Sequence, residues 1–156
     1  MDKIKRILAP IDYSELSNRG LHYALDLAHS LSAEVIVLHV VSVSDDWFAK
    51  QEKSSPLPDL ITEQKEFLDK FLREKFADAM NLVEVRQKVE LGTAYSNIAE
   101  LAEREAVDMI VMSTHGRTGL DHMMLGSVTE KVIAHAPCPV LALPAAMRNA
   151  TLPKAA

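Results

Sequence analysis

The hydrophobic positions of the chain form five short strand-like runs that alternate with four helical patterns. The strands are predicted at residues 4–10, 35–41, 83–91, 107–112 and 139–143. The helices are predicted at residues 14–31, from about 59 to 79, after Gly92, and from 127 to about 135. Strands that alternate with helices favour a parallel sheet with right-handed crossovers. The pattern therefore predicts one doubly wound, Rossmann-like α/β fold, with strand order 3-2-1-4-5 and helices on both faces.

Three of these elements carry further detail. Ser14 stands where it can cap the first helix. The third strand alternates valines with charged residues, which is typical of a strand near a sheet edge. In the second helix one side is apolar and is predicted to face the core; its residues are Leu60, Ile61, Phe67, Leu68, Phe71, Leu72 and Phe76.

The regular pattern ends in two places. Paired aspartates, paired serines and two prolines interrupt it after the second strand, so residues 42–58 are predicted to form a mobile loop. The last residues, 145–156, are predicted to be a flexible tail. Residues 1–144 are therefore expected to fold as one domain, which suits a chain of 156 residues.

Composition limits the cellular compartment and the classes of binding partner that are expected. The single cysteine, Cys138, cannot form an internal disulfide and suits a reducing compartment. No run approaches the roughly 20 apolar residues of a membrane span. The net charge of −5 argues against non-specific binding to nucleic acid or to an anionic membrane. A cytoplasmic protein without nucleic-acid or membrane partners is expected.

A glycine-rich segment follows the fourth strand, and it is the part of the sequence that most clearly indicates a binding site. Three of the five glycines of the chain lie between Met112 and Ser127. Such glycines let backbone N–H groups turn toward an anion. Residues 127–130 have the Ser-Val-Thr-Glu pattern of a capping box, which predicts a helix start and hence a phosphate site. The hydroxyls of Ser127 and Thr129 and the charge of Arg117 can add donors.

Other interpretations of these residues stay open. The glycines can simply make turns, and Ser127 can simply cap a helix. The sequence lacks the Gly-Lys-Ser/Thr of a P-loop and the dinucleotide-binding glycine fingerprint. His22 and His29 have no third ligand near them, so no metal site is expected. His115 has no carboxylate fixed beside it by spacing, and no catalytic residue is assigned.

Several segments together resemble the universal stress protein family. They are residues 9–14 (Ala-Pro-Ile-Asp-Tyr-Ser), residues 37–40 (Val-Leu-His-Val), and the stretch that begins with residues 108–119 and ends with residues 137–141. The ATP-binding branch of that family has Gly, two residues, Gly, nine residues, Gly, then Ser or Thr. Gly116, nine residues and Gly126-Ser127 fit this pattern. Ser113 replaces the first glycine, where it can crowd the ribose or donate a hydrogen bond.

The resemblance implies an adenine-nucleotide site. ATP is the expected ligand, with Mg²⁺ carried on its phosphates, and AMP or cyclic AMP are alternatives. Asp12 is expected near the adenine amino group, between walls from Pro10, Val40 and Met112. The site residues that the resemblance implies are Pro10, Ile11, Asp12, Val40, Met112, Ser113, His115, Gly116, Arg117, Gly126, Ser127, Val128 and Thr129, of which Gly116 and Gly126 to Thr129 would hold the phosphates.

Each of these residues also has a plainer interpretation. Asp12 can help to start the first helix, Val40 and Met112 can be core residues, and Arg117 can be a solvated loop charge.

The resemblance also implies an assembly and a class of function. The expected protein is a stress-response regulator that binds ATP and forms a homodimer through the last strand, Pro139 to Leu143. An unknown protein partner is expected at residues 42–58. The alternatives are an enzyme that slowly hydrolyses ATP or transfers a phosphoryl or adenylyl group, and a nucleotide-free dimerisation module.

Overall fold

A five-stranded parallel sheet forms the centre of the protein. The computed structural model describes residues 3–42, 57–116 and 125–147. The strands within them are β1 (Arg6–Ile11), β2 (Glu34–Ser42), β3 (Val85–Gly92), β4 (Met109–Ser113) and β5 (Val140–Leu143). The helices are α1 (Glu15–Leu31), α2 (Leu57–Met80), α3 (Ala94–Arg104) and α4 (Ser127–His135). The strand order is β3-β2-β1-β4-β5, and every neighbouring pair is parallel, which confirms the predicted fold.

Two of the described helices cover each face of the sheet. Ile7 and Val35 pack on one face with α1 and α2, whereas Leu8 and Ile36 pack on the other face with α3 and α4. These four side chains are fully buried. Central strands that are buried on both faces have nearly continuous apolar sequences, and this explains the patterns of β1 and β2.

The sheet edges agree with the sequence patterns. β3 lies at one edge, as its alternating sequence predicts, and only Val89 of this strand is buried. β5 lies at the other edge, and its first three residues are half-buried.

The loop predicted at about residues 42–58 overlaps the neighbouring elements at both ends. Ser42 is the last residue of β2, and Leu57 and Pro58 begin α2. A proline is tolerated in the first turn of a helix, because the N–H that it lacks would have no partner within the helix. Residues 43–56 lie outside the described residues. Of the predicted tail, residues 148–156 also lie outside them.

The start of α1 confirms the predicted cap. Ser14 has an extended backbone, and its hydroxyl oxygen accepts from the Ser17 N–H at 3.2 Å. This bond satisfies one of the donors that the first turn of a helix leaves open. It fixes α1 directly after the end of β1.

Four charged residues form an ion-pair network at the amino ends of the strands; they are Arg6, Glu34, Arg86 and Glu105. The Glu34 carboxylate accepts from the Nε of Arg6 and from the Nε of Arg86, the latter at 3.1 Å. Arg86 also donates to Glu105 at 3.0 Å. Burial alone would raise the pKa of Glu34, but the two guanidinium groups hold it below its ordinary value of 4.5. Hydrogen bonding from Arg86 likewise lowers the pKa of Glu105.

The order of the strands sets the place of a ligand site. From β1 the chain adds β2 and β3 on one side, and it then crosses to add β4 and β5 on the other side. The crossovers therefore diverge above the carboxyl ends of β1 and β4. Open α/β sheets bind their ligands at such a switch point.

Candidate functional site

A cleft of about 680 Å³ opens beyond the carboxyl ends of β1, β2 and β4. Small-molecule sites in proteins have volumes of roughly 300–1,000 Å³. The predicted site residues that the structure describes all line this cleft: Pro10, Ile11, Asp12, Val40, Met112, Ser113, His115, Gly116, Gly126, Ser127, Val128 and Thr129. Arg117, which was predicted with them, lies outside the described residues.

The amino terminus of α4 forms one end of the cleft. Gly126 precedes the helix in an extended conformation, with φ −69° and ψ 152°, and its N–H donates to the Thr114 carbonyl at 2.7 Å. The first bond of the helix runs from the Glu130 N–H to the Gly126 carbonyl at 3.0 Å. The N–H groups of residues 127–129 therefore have no acceptor within the helix. These three residues line the cleft.

The predicted capping box is wrong, although the predicted helix start is right. Gly126 is the N-cap, and no side chain makes the capping bond. Ser127 is the first helical residue, because the bond from Gly126 to Thr114 fixes the extended cap one position earlier than the Ser-Val-Thr-Glu pattern indicates. The Ser127 hydroxyl is consequently not engaged in capping α4.

Close approaches of neighbouring groups explain two glycines of the cleft. A Cβ on Gly116 would overlap the Oδ2 of Asp12. A Cβ on Gly126 would lie 3.0 Å from the Thr114 carbonyl oxygen, which is tighter than ordinary van der Waals contact. A larger residue at Gly116 would have to displace the Asp12 carboxylate, and one at Gly126 would have to shift the Thr114 backbone by a few tenths of an ångström.

Asp12 helps to start α1, which is one of its two predicted roles, and it also lines the cleft. Its Oδ1 accepts from the Ser14 N–H at 3.0 Å, so the side chain supports the start of α1. Its Oδ2 lies against Gly116 in the cleft. The carboxylate thus touches both the first helix and the glycine loop.

Two hydroxyl groups are engaged within the protein itself. The Ser113 hydroxyl donates to the His115 carbonyl at 2.7 Å. The hydroxyl of Thr129, which is 3% exposed, donates to the Ser113 carbonyl at 3.0 Å. The expectation that the Thr129 hydroxyl donates to a ligand is therefore wrong, and its backbone N–H is the group that has no acceptor within α4. Through these two bonds Ser113 contacts both the residues after β4 and the first turn of α4.

Aromatic side chains form the other end of the cleft. Tyr13 has a left-handed backbone with φ 63°, a conformation that costs a bulky residue about 1–3 kcal/mol. Its ring lies 4.6 Å from the ring of His39 and 4.9 Å from those of Phe67 and Phe71. The Nδ1–H of His39 donates to the Ile11 carbonyl at 3.0 Å, which orients the imidazole.

The cleft and its glycines can be compared with those of known proteins. The sequence model of the universal stress protein family matches residues 3–144. The chain belongs to the universal stress protein family.

Relatives of this universal stress protein are similar over most of its length. The universal stress protein MJ0531 of Methanocaldococcus jannaschii is 37% identical over 139 residues, which cover 88% of this chain and 80% of the relative. The solved structure of protein MJ0577 from the same organism is 30% identical, has a TM-score of 0.74 and covers 95% of this chain and 99% of its own. A solved universal stress protein in complex with cAMP has a TM-score of 0.69 at 19% identity, covering 91% of this chain and 98% of its own.

His115 contributes an imidazole to the wall of the cleft. The Nδ1 of His115 lies 3.0 Å from the hydroxyl oxygen of its neighbour Thr114. Within residues 3–42, 57–116 and 125–147, no three His, Cys, Asp or Glu side chains are grouped so that they can hold a metal ion. None of the helices described is long and apolar enough to cross a membrane.

Several residues that line the cleft were not assigned to the nucleotide site from the sequence. His39 and Val41 lie at the end of the second predicted strand, where a ligand site is expected in an open α/β sheet, and Ser42 follows them. Gln64 and Phe67 come from α2, and only the folded structure brings them to the cleft. Phe67 was predicted to face the core, but it is 52% exposed. It lies at the border of the apolar side of α2, where helical periodicity does not distinguish core from cleft.

Proposed function

We propose that this universal stress protein binds ATP as a regulatory ligand and does not turn it over at a significant rate. The observation that carries the proposal is the first turn of α4, whose three N–H groups without helical acceptors face a cleft at the switch point of the sheet. A helix amino terminus also carries a partial positive charge, which favours phosphate. The lack of a Cβ at Gly116 and Gly126 lets Asp12 and the Thr114 carbonyl approach the backbone closely, which supports the path that leads into the first turn of α4.

The nucleoside would extend from α4 toward β1 and β2. Pro10, Val40 and Met112 would form apolar walls for the adenine. Asp12 would face the adenine amino group or the ribose, because like charges repel and a carboxylate beside the phosphates is unfavourable. Mg²⁺ would be carried on the phosphates.

An adenine nucleotide is favoured over other anions by the make-up of the cleft. The cleft combines open backbone donors at one end with aromatic and apolar side chains at the other. A solved member of the family was obtained in complex with cAMP. ATP, rather than AMP or cyclic AMP, makes the fullest use of the three N–H groups, because it carries the longest phosphate chain.

The protein is also proposed to act as a homodimer. β5 lies at the edge of the sheet, with its first three residues half-buried. An open strand edge is a template for pairing, and the segment from Pro139 to Leu143 of a second copy can cover it. ATP binding would then change the state of this dimer and its contact with an unknown protein partner.

The first test identifies the ligand. Freshly purified protein is denatured, any released nucleotide is identified by mass, and calorimetry measures binding of ATP, ADP, AMP and cyclic AMP. We expect ATP to bind most tightly and its hydrolysis to stay near background. Absence of binding by all four nucleotides would contradict the proposal, and sustained release of ADP or AMP would support the enzymatic alternative.

A pair of variants tests the backbone donors. Ser127→Pro removes the N–H at the first helical position, where proline is well tolerated, and the extended backbone of Gly126 suits a following proline. Ser127→Ala removes only the hydroxyl. We expect Ser127→Pro to weaken ATP binding at least tenfold, since a hydrogen bond to a charged group contributes roughly 1.5–3 kcal/mol. The alanine variant should lose less than about threefold, and equal affinity in the two variants would argue against phosphate binding at α4.

A further inference from the structure

The ring of Phe67 is exposed, although α2 packs on the sheet and buries its other phenylalanines. Phe67 is 52% exposed, whereas Phe71 and Phe76 of the same helix are 9% and 2% exposed. An isolated apolar residue on a convex surface needs no special explanation. Phe67, however, lies in the wall of the cleft, together with Gln64 one turn earlier. It therefore offers apolar surface to whatever occupies the cleft.

The ring of Phe67 is held in position before any ligand arrives. Tyr13 packs against it edge to face, with ring centroids 4.9 Å apart and ring planes at 90°. Tyr13 also packs against the buried Phe71, at 4.9 Å and 79°. The core thus supports Tyr13, and Tyr13 supports Phe67. A preorganised contact surface loses less conformational entropy when a ligand binds.

The position of Phe67 suits a base and not a phosphate. Tyr13 directly follows Asp12, and its ring lies 4.6 Å from that of His39 in β2, so these aromatic residues occupy the β1–β2 end of the cleft. The N–H groups of residues 127–129 lie at the other end, at the start of α4, which follows β4. A nucleotide whose phosphates contact α4 therefore extends its base toward Phe67.

We propose that Phe67 stacks on the adenine base, so that α2 forms the outer wall of the base pocket. This inference rests on the proposed function and adds a specificity-determining residue to it. Aromatic side chains bind bases through their π faces. The exposure of Phe67 and its place in the cleft wall leave its ring accessible to the base.

The affinity test compares three variants. Phe67→Ala is expected to weaken ATP binding roughly tenfold, from the usual effect of removing a base-stacking ring. Phe67→Tyr keeps the ring and should retain affinity within about twofold of the wild type. Leu82→Ala is the control, because Leu82 is 63% exposed and lies near Lys5 and Arg6, at the amino ends of the strands. It should leave ATP binding unchanged, and thermal unfolding should show that all three variants are folded.

A spectroscopic test separates stacking from an indirect effect on the fold. Phe67→Trp is combined with Trp47→Phe, which removes the natural tryptophan. Stacking of adenine on the introduced indole should quench its fluorescence, with the ATP dependence that calorimetry gives for this double variant. Unchanged emission at saturating ATP would overturn the inference.

The outcomes distinguish this inference from the function on which it rests. If the wild type binds no adenine nucleotide, the proposed function is wrong. If the wild type and Phe67→Ala bind ATP with equal affinity, the function stands and the assignment of Phe67 alone is wrong. If the alanine variant loses affinity and the tyrosine variant keeps it, the stacking role is supported.

Discussion

The two ends of the sheet differ in whether their polar groups have partners within the protein. At the amino ends of the strands, Arg6, Glu34, Arg86 and Glu105 bind one another. At the carboxyl ends, the first turn of α4 presents N–H groups that have no acceptors within the helix. Satisfied polar groups contribute to the stability of the fold, whereas donors that remain open are available to a ligand. One end of the sheet therefore stabilises the protein, whereas the other end holds the donors that we propose for ATP.

The direction of the strands explains why the ends differ. In a parallel sheet each helix begins near the carboxyl end of the preceding strand and returns to the amino end. Helix amino termini, with their partial positive charge, therefore gather at the cleft. Helix carboxyl termini gather at the opposite end, where Arg6 donates to the Glu105 carbonyl at 2.8 Å, directly after α3. Arg6 thus meets both a carboxylate and the carbonyl at the carboxyl end of α3.

Removing the central carboxylate of the ion-pair network should have the largest effect on stability. Glu34→Ala leaves Arg6 and Arg86 without their shared partner, and Glu34 is only 15% exposed at its side chain. We expect the free energy of unfolding in urea to fall by roughly 1–2 kcal/mol, after allowance for the partial exposure of both arginines. ATP affinity should stay within about twofold of the wild type.

Glu63→Ala is a matched control for this change, since Glu63 is an exposed glutamate of α2. It should alter the unfolding free energy by less than about 0.5 kcal/mol. A large loss of ATP affinity in Glu34→Ala would contradict the separation of the two ends.

Low pH should also destabilise the ion-pair network at the amino ends of the strands, by a smaller amount than Glu34→Ala does. The pKa values of Glu34 and Glu105 lie below 4.5 in the folded protein, so the unfolded chain binds more protons near that pH. Their stabilising effect is complete above about pH 5 and is lost as the pH falls through the folded pKa values. Urea unfolding between about pH 6 and pH 3 should show this loss, and Glu34→Ala should show a shallower decline. Parallel pH profiles in the two proteins would exclude Glu34 as a source of the effect.

The smallest effect is expected from Ser113→Gly, at the carboxyl end. Loss of the hydrogen bond to the His115 carbonyl should lower stability by about 1 kcal/mol. ATP affinity, measured by calorimetry, should change less than about threefold, because the hydroxyl is directed to its own loop. A tenfold gain in affinity would instead show that the Ser113 side chain crowds the ribose.

Periodicity was sufficient to predict the fold, but it could not resolve individual contacts. The apolar runs of β1 and β2 and the alternation in β3 identified central and edge strands, because burial on two faces and on one face leaves different patterns. The site was predicted from the glycines and the helix start after β4 and from the resemblance to the family.

The errors concern residues whose roles depend on distant neighbours. Ser127 has the sequence of a cap, yet the bond from Gly126 to Thr114 moves the cap by one position. The hydroxyl of Thr129 donates to the Ser113 carbonyl, and the local sequence does not show that these two groups lie close together. The ion-pair network was not predicted, because it depends on strand register: Arg6 pairs with Glu34, and Arg86 lies on the next strand.

The contact between Asp12 and Gly116 limits how this cleft can be remodelled. One oxygen of the carboxylate fills the space above the glycine, and the other holds the N–H of Ser14, the cap of α1. Extra room at Gly116 can therefore be gained only by displacing a group on which the first helix also depends. A synthetic ligand with a bulky substituent at this point would strain the start of α1, whereas one that ends short of Asp12 would leave it undisturbed.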